Sequence, residues 1–253
     1  LLAIDIGNTN IVFGVFEGDA LHASWRAATD VHRMPDEYAM FLKNLLELRG
    51  WRFNDLSGCI IASVVPPLTS VMQEAAQTYL NRKPLVVGVN LKTGVRIRTD
   101  NPAEVGADRV VNAHAAHRLY GGPCVVIDFG TATTFDAVAR EGDYMGGAIA
   151  PGIGTAAEAL FLRAAKLPRI ELVAPPRAIG ANTTHSMQSG VMFGYVGLVE
   201  GLVARFRKEL GPDMKVIATG GLAPVIARET KVIEIVNADL TLHGLRMIYD
   251  LNR

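Results

Sequence analysis

Asp5-Ile6-Gly7-Asn8-Thr9-Asn10 follows the apolar run Leu1-Leu2-Ala3-Ile4 and precedes a second one, Ile11-Val12-Phe13-Gly14-Val15-Phe16. Two strand-like runs so closely spaced read as a hairpin. Its turn is unusual in carrying an acid at the end of the buried strand and donors beyond it. Gly7 lacks a Cβ and lets a ligand approach the backbone. Asn8, Thr9 and Asn10 add side-chain donors to the turn's N–H groups. Such a set suits a phosphate, with Asp5 holding a metal ion beside it. One copy alone would read as an ordinary Asn-rich turn.

A second copy exists. Cys124-Val125-Val126 leads into Ile127-Asp128-Phe129-Gly130-Thr131-Ala132-Thr133-Thr134, and Glu17-Gly18-Asp19 after the first motif returns as Glu141-Gly142-Asp143 after the second. The repeat unit spans about half the chain, so it indicates duplicated domains rather than a solenoid. The expected division is 1–119 and 120–253, with the last helix packing back on the first domain. Two phosphate-binding hairpins facing one another across a cleft would hold a nucleoside triphosphate.

The 253 residues carry no net charge and no block of like charge, which argues against nucleic acid or a membrane surface as the main partner. Cys59 and Cys124 lie in apolar runs and read as buried thiols, so a cytoplasmic, soluble protein is expected. No apolar run is read as a membrane span, and Leu1–Ile4 is too short for a signal peptide.

Along the chain, Ala20–Trp25 reads as a third strand. A helix from Asp36 to Arg49 follows Pro35, with Tyr38, Phe41, Leu42, Leu45 and Leu46 on one face. Gly58–Val65 and Leu85–Val89 read as strands around a helix from Leu68 to Leu80. Three meandering strands followed by strand–helix–strand alternation imply a mixed sheet with helices on its faces. Thr99-Asp100-Asn101-Pro102 is a turn, and Glu104-Val105-Gly106-Ala107-Asp108-Arg109 opens a helix running to Leu119. Position alone allows Asp108 to be a helix N-terminal acid or a catalytic one. His114 and His117 share a face of that helix without further metal ligands, so they read as surface or packing residues.

The second half adds a strand at Tyr144–Ala150, then Pro151-Gly152-Ile153-Gly154-Thr155-Ala156-Ala157 opening a helix. Gly152, Gly154 and Ala157 match a dinucleotide fingerprint by spacing, but the repeat already explains the stretch, and no Walker A pattern occurs. Gly190, Gly194, Gly197 and Gly201 fall on one face of a helix within Ala181–Leu210. Each glycine on an exposed helix costs nearly 1 kcal/mol against alanine. Four therefore imply close approach of another backbone, either within the subunit or across a dimer. Lys215–Ala218 is a strand ending in Thr219-Gly220-Gly221, where a glycine pair admits a flat ring or a phosphate. Thr241–Leu251 is a closing amphipathic helix.

Together these features resemble the actin, Hsp70 and sugar-kinase superfamily, with duplicated ribonuclease H-like domains in an α/β fold of mixed five-stranded sheets. More closely, Asp5–Asn10, Gly106–Arg109, Ile127–Ala132, Met187-Gln188-Ser189-Gly190 and Thr219–Gly221 resemble type III pantothenate kinases. That resemblance implies ATP-dependent phosphorylation of pantothenate, the first step of coenzyme A synthesis. It makes Asp5, Ile6, Gly7, Asn8, Thr9, Asn10, Ile11, Val12, Thr131, Gly220 and Gly221 the ATP-binding set, with Asp5 serving Mg²⁺. Asp108 becomes the general base, kept ionised by the helix start and by Arg109. Gly106, Ala107, Asp108, Arg109 and Thr183 contact pantothenate, and Asp128 holds a potassium or ammonium ion. Many members carry tyrosine where this chain has Thr99, which leaves that wall of the pocket open to question. Neither loop contains Lys or Arg, so the triphosphate is met by Mg²⁺, N–H groups and polar side chains. A homodimer is implied. The rivals are a kinase for another small hydroxylated substrate and a non-catalytic regulatory accessory factor of the same fold.

Overall fold

The computed structural model describes residues 1–88 and 90–253. Contacts divide the chain into two units: unit 1 is Leu1–Val95, Asn101–Ala115 and Leu240–Arg253, and unit 2 is Arg96–Asp100 and Ala116–Asp239.

Unit 1 is built on β1 (Leu2–Ile6), β2 (Asn10–Glu17), β3 (Ala20–Ala28), α1 (Pro35–Glu47), β4 (Cys59–Ser63), α2 (Pro66–Tyr79), β5 (Leu85–Val86) and the first part of α3 (Ala107–Tyr120). The third strand runs three residues past its expected end at Trp25, because its ladder with β2 continues to Asn10↔Ala28. The strand expected over Leu85–Val89 is two residues long, and Val89 itself lies outside the described residues. α1 starts on Pro35 at its first turn, where the Glu37 carboxylate accepts from the Met34 N–H at 2.8 Å. Gly50, at φ +75°, follows the helix.

The sheet order is β3-β2-β1-β4-β5, antiparallel within the meander and parallel from β1 onward. Alternation along β1 sorts its side chains between two faces. Leu2, Ile4 and Ile6 join Tyr38, Leu42, Leu46, Leu68 and Met72 of α1 and α2 in one core. Ala3 faces the other side, in a cluster with Ile60, Ala62 and Val111. Asp5 pairs with Val12 and Ala62, both of that second cluster, so the acid shares the face that α3 covers.

Unit 2 repeats the plan with β6 (Cys124–Phe129), β7 (Ala132–Val138), β8 (Tyr144–Pro151), α4 (Ile153–Arg163), α5 (Thr183–Leu210), β9 (Lys215–Thr219), α6 (Ala223–Ala227) and β10 (Ile235–Val236). Its sheet order, β8-β7-β6-β9-β10, reproduces unit 1 strand for strand in order and direction. Val125, Ile127 and Phe129 pack with Val191, Met192, Tyr195, Val199 and Val203 of α5.

By length, and with an 18-residue window of mean hydropathy 1.2, α5 would pass as a membrane span, contrary to the expectation that no run would. Val191, Met192, Tyr195, Val199 and Val203 place part of that apolar surface in this core. The alternative that its glycines admit a backbone of the same chain is excluded for Gly190, Gly194 and Gly197. These three are exposed, and a Cβ on any of them would meet nothing within 4 Å outside the helix.

The last helix, α7 (Leu240–Asp250), belongs to unit 1 and lies against β1, β2 and β4. Leu242, Leu245 and Ile248 complete the cluster around Ala3. Gly244 lets α7 cross α3 closely, since a Cβ there would fall 2.5 Å from the Val111 carbonyl oxygen. Beside this crossing the Thr241 hydroxyl donates to Oδ1 of the buried Asn112 at 2.7 Å.

Candidate active site

In unit 1, β1 delivers Asp5 to the edge of the first loop, and Asn8, Thr9 and Asn10 are exposed beyond it. The Gly7 N–H turns back to the Asn10 carbonyl at 2.9 Å, and a Cβ on Gly7 would sit 3.1 Å from that oxygen. The Thr29 hydroxyl donates to the Gly7 carbonyl at 2.6 Å and its N–H to the Thr9 carbonyl at 2.9 Å. Thr29 was not singled out from the sequence; only the β2–β3 register brings it to the loop. Ile6 and Ile11 pair with each other and are fully buried, so their side chains serve the core and only their backbone belongs to the loop's frame. Val12 is partly buried on the Asp5 face.

Asp108 lies in the first turn of α3, where its Oδ1 accepts the Arg109 N–H at 2.8 Å. A Cβ on Gly106 would fall 2.6 Å from that same oxygen, so a side chain before the helix would displace the carboxylate from this position. Burial raises the Asp108 pKa above its ordinary 3.8, outweighing the Arg109 N–H and charge, which pull it down. The sequence expectation counted only the helix start and Arg109. Desolvation opposes both and prevails, because a carboxylate loses hydration when it is covered. A carboxyl shifted in this direction is a stronger proton acceptor.

In unit 2, Asp128 is the penultimate residue of β6, opposite Thr134 and Thr219. Thr131 is exposed in the second loop, and its carbonyl accepts from the Gly152 N–H at 3.0 Å and the Thr155 hydroxyl at 2.9 Å. Gly152 thus belongs to this loop's support, in keeping with the repeat rather than the dinucleotide spacing. Gly220, at φ +88°, leaves a space that a Cβ would fill, 2.6 Å from Asp128 Oδ1 and 2.7 Å from the Phe129 carbonyl. Oxygen acceptors of this kind suit a hard cation. The exposed Gly221 follows directly. Among the described residues no group of three or more His, Cys, Asp and Glu gathers as a metal site.

The segment Arg96–Asp100 belongs to unit 2, although the residues before and after it belong to unit 1. Its backbone joins β8, with the Arg98 N–H donating to Tyr144 O and the Tyr144 N–H to Arg96 O, both at 2.8 Å. The Nε groups of Arg96 and Arg98 each meet the Asp143 carboxylate at 2.8 Å. Thr99 follows, with its Oγ1 buried and without a protein partner and its Cγ2 beside Gly146. Thr183 is exposed at the start of α5, where Asn182 caps the helix by accepting the His185 N–H at 2.8 Å. Gln188 and Ser189 tie this helix to the preceding loop through the Glu171 and Ala178 carbonyls.

Two solved structures share the architecture across nearly the whole chain. The ethanolamine utilization protein EutJ from Carboxydothermus hydrogenoformans aligns at TM-score 0.60 and 15% identity, over 98% of this chain and 89% of that one. The inorganic polyphosphate/ATP-glucomannokinase from Arthrobacter sp. strain KM aligns at TM-score 0.51 and 14% identity, over 100% and 99%. At such identities the likeness concerns fold alone. Duplicated five-stranded sheets, each ending a central strand in Asp-x-Gly, define the class as that of actin, Hsp70 and the sugar kinases. Residues 1–205 match the family model for type III pantothenate kinase. The type III pantothenate kinase of Moorella thermoacetica is 54% identical over 100% of this chain and 99% of its own length. The chain belongs to the type III pantothenate kinase family and is, by that membership, a kinase.

Proposed function

We propose that the chain transfers the γ-phosphoryl group of ATP to the primary hydroxyl of pantothenate, giving 4′-phosphopantothenate and ADP. The observation that carries the reading is Asp108. It is a covered carboxyl fixed at a helix start, with burial raising its pKa. As the hydroxyl oxygen bonds to the γ-phosphorus, the bond to the β–γ bridging oxygen breaks and the hydroxyl proton passes to Asp108. Gly106–Arg109 and Thr183 hold pantothenate.

Asp5, Asn8, Thr9, Asn10 and Thr131, with the loop N–H groups, hold the phosphates, and Gly220-Gly221 lies against the adenosine. Asp5 would serve Mg²⁺, which when bound neutralises phosphate charge. Asp128 and the Phe129 carbonyl would hold a potassium or ammonium ion. With no Lys or Arg in either loop, the chain's own contribution is positioning and oriented dipoles, the main requirement of phosphoryl transfer. We further propose a cytoplasmic homodimer assembled through the exposed glycine face of α5. The deciding test is ADP release with a panel of hydroxyl acceptors, with and without potassium. Pantothenate should be strongly preferred; equal or better turnover of a sugar or another alcohol would overturn the reading.

A further inference from the structure

The ladders allow the two loops to be matched atom by atom, each within its own unit. Asn10↔Ala28 opens the β2–β3 pairing and Ala132↔Pro151 opens the β7–β8 pairing. Thr9 is therefore the counterpart of Thr131, and Thr29 the counterpart of Gly152. The first loop is longer by one residue, Asn8.

Two hydrogen bonds recur atom for atom, and a third has an analogue on the neighbouring carbonyl. The loop glycine folds back on the first residue of the next strand, Gly7 N–H to Asn10 O at 2.9 Å and Gly130 N–H to Ala132 O at 3.1 Å. The residue after the third strand donates its N–H to the loop, Thr29 to Thr9 O at 2.9 Å and Gly152 to Thr131 O at 3.0 Å. A threonine hydroxyl then takes a loop carbonyl, Thr29 to Gly7 O at 2.6 Å and Thr155 to Thr131 O at 2.9 Å. The hydroxyl has a different origin in the two copies for a steric reason. A Cβ on residue 152 would fall 2.3 Å from Thr131 O and 2.5 Å from Gly130 O, so no side chain fits there. The second unit supplies the group from Thr155, in the first turn of α4.

We infer that Thr29 and Thr155 are positioning residues, analogous hydroxyl latches, each on a different carbonyl of its loop, that turn the loop carbonyls away from the bound phosphates. A carbonyl dipole facing an anion repels it, whereas aligned N–H groups form an anion-binding concavity. Tying the carbonyls back leaves the remaining loop N–H groups to the phosphate oxygens. The inference rests on the proposed assignment of both loops to ATP.

The test uses Thr29→Val and Thr155→Val, which remove the hydroxyl at nearly constant volume, beside Thr29→Ser and Thr155→Ser. Titration with the β,γ-imido analogue of ATP and steady-state kinetics in both substrates are the readouts. Loss of one hydrogen bond should raise the analogue's Kd and the KM for ATP by about three- to tenfold. The KM for pantothenate should stay within about twofold, and serine should restore ATP affinity. Unchanged ATP affinity in both valine variants would overturn the inference. So would an equal loss for both substrates that serine does not rescue. Should one valine variant fail to fold in a thermal melt, the other variant and the serine pair still read the latch. Wild-type protein that binds the analogue but leaves pantothenate untouched would sink the assigned reaction alone, since the titration still measures both latches.

Discussion

Gly220 stands so close to Asp128 that a Cβ on it would fall 2.6 Å from the carboxylate Oδ1 and 2.7 Å from the Phe129 carbonyl oxygen. The backbone at Gly220 is also left-handed, φ +88°, which an L side chain rarely adopts. Gly220→Ala therefore meets two independent penalties, clash and strain. It should cost on the order of 1–3 kcal/mol and lower the melting temperature by several degrees. A thermal scan showing no change would contradict this account of the glycine.

Asp108→Asn preserves shape and removes the proton acceptor. Turnover should fall at least about a hundredfold, with ATP affinity nearly intact. A helix-start role would predict otherwise, because asparagine caps about as well. Near-normal kcat would refute the catalytic assignment.

The raised pKa of Asp108 has a definite sign in pH experiments. Between its ordinary 3.8 and the higher folded value the folded chain binds more protons than the unfolded one, so this group's contribution to stability falls as pH rises through that window. At neutral pH the ionised carboxylate is therefore a cost to the fold. Asp108→Asn should melt at the same temperature as the wild type or higher. The acid limb of the wild-type kcat profile should lie above 3.8 and vanish in the variant. A variant that melts lower at neutral pH would argue against burial as the dominant cause.

The proposed function gives Asp128 a potassium or ammonium ion, whose charge offsets the repulsion between that carboxylate and a phosphate. Activity should be low in sodium or Tris and restored by potassium or ammonium. Asp128→Asn should abolish that difference. Equal rates in all four salts would rule out the site.

Asp143 bridges Arg98 and Arg96, whose hydrogen bonds hold its carboxyl below the usual carboxylate range. The bridge is intact at neutral pH and is lost only as pH falls through that lowered value. Asp143→Asn should loosen the segment carrying Thr99 and raise the KM for pantothenate by about threefold or more, leaving the KM for ATP alone. Parallel rises in both constants would mean a general structural role instead.

Gly194→Leu places a large side chain on the exposed face of α5, where nothing of the same chain lies within 4 Å of a Cβ. The monomer fold should tolerate it, while assembly and activity fall together. Light scattering that finds the wild type monomeric at micromolar concentration would remove the dimer.

The sequence by itself determined the repeat, the two Asp-x-Gly turns and the identities of the strands and helices around them. These are local facts: an apolar run of alternating faces, a glycine where the backbone must turn, an acid at a strand's end. The family motifs were legible for the same reason, each being a contiguous stretch such as Gly106–Arg109. What lay beyond reach depends on partners distant in the chain. Thr29 becomes a loop latch only because the β2–β3 register sets it beside Gly7 and Thr9. Gly152, read as part of a spacing motif, owes its identity to the Thr131 carbonyl 2.3 Å from where its Cβ would be. The Arg96–Asp143 bridge spans 47 residues. Asp108 shows the division most clearly. Its neighbours in sequence, a helix start and an arginine, both favour the charged form, and only packing reverses the sign. Desolvation depends on everything that covers the carboxyl, and that is a property of the tertiary structure alone.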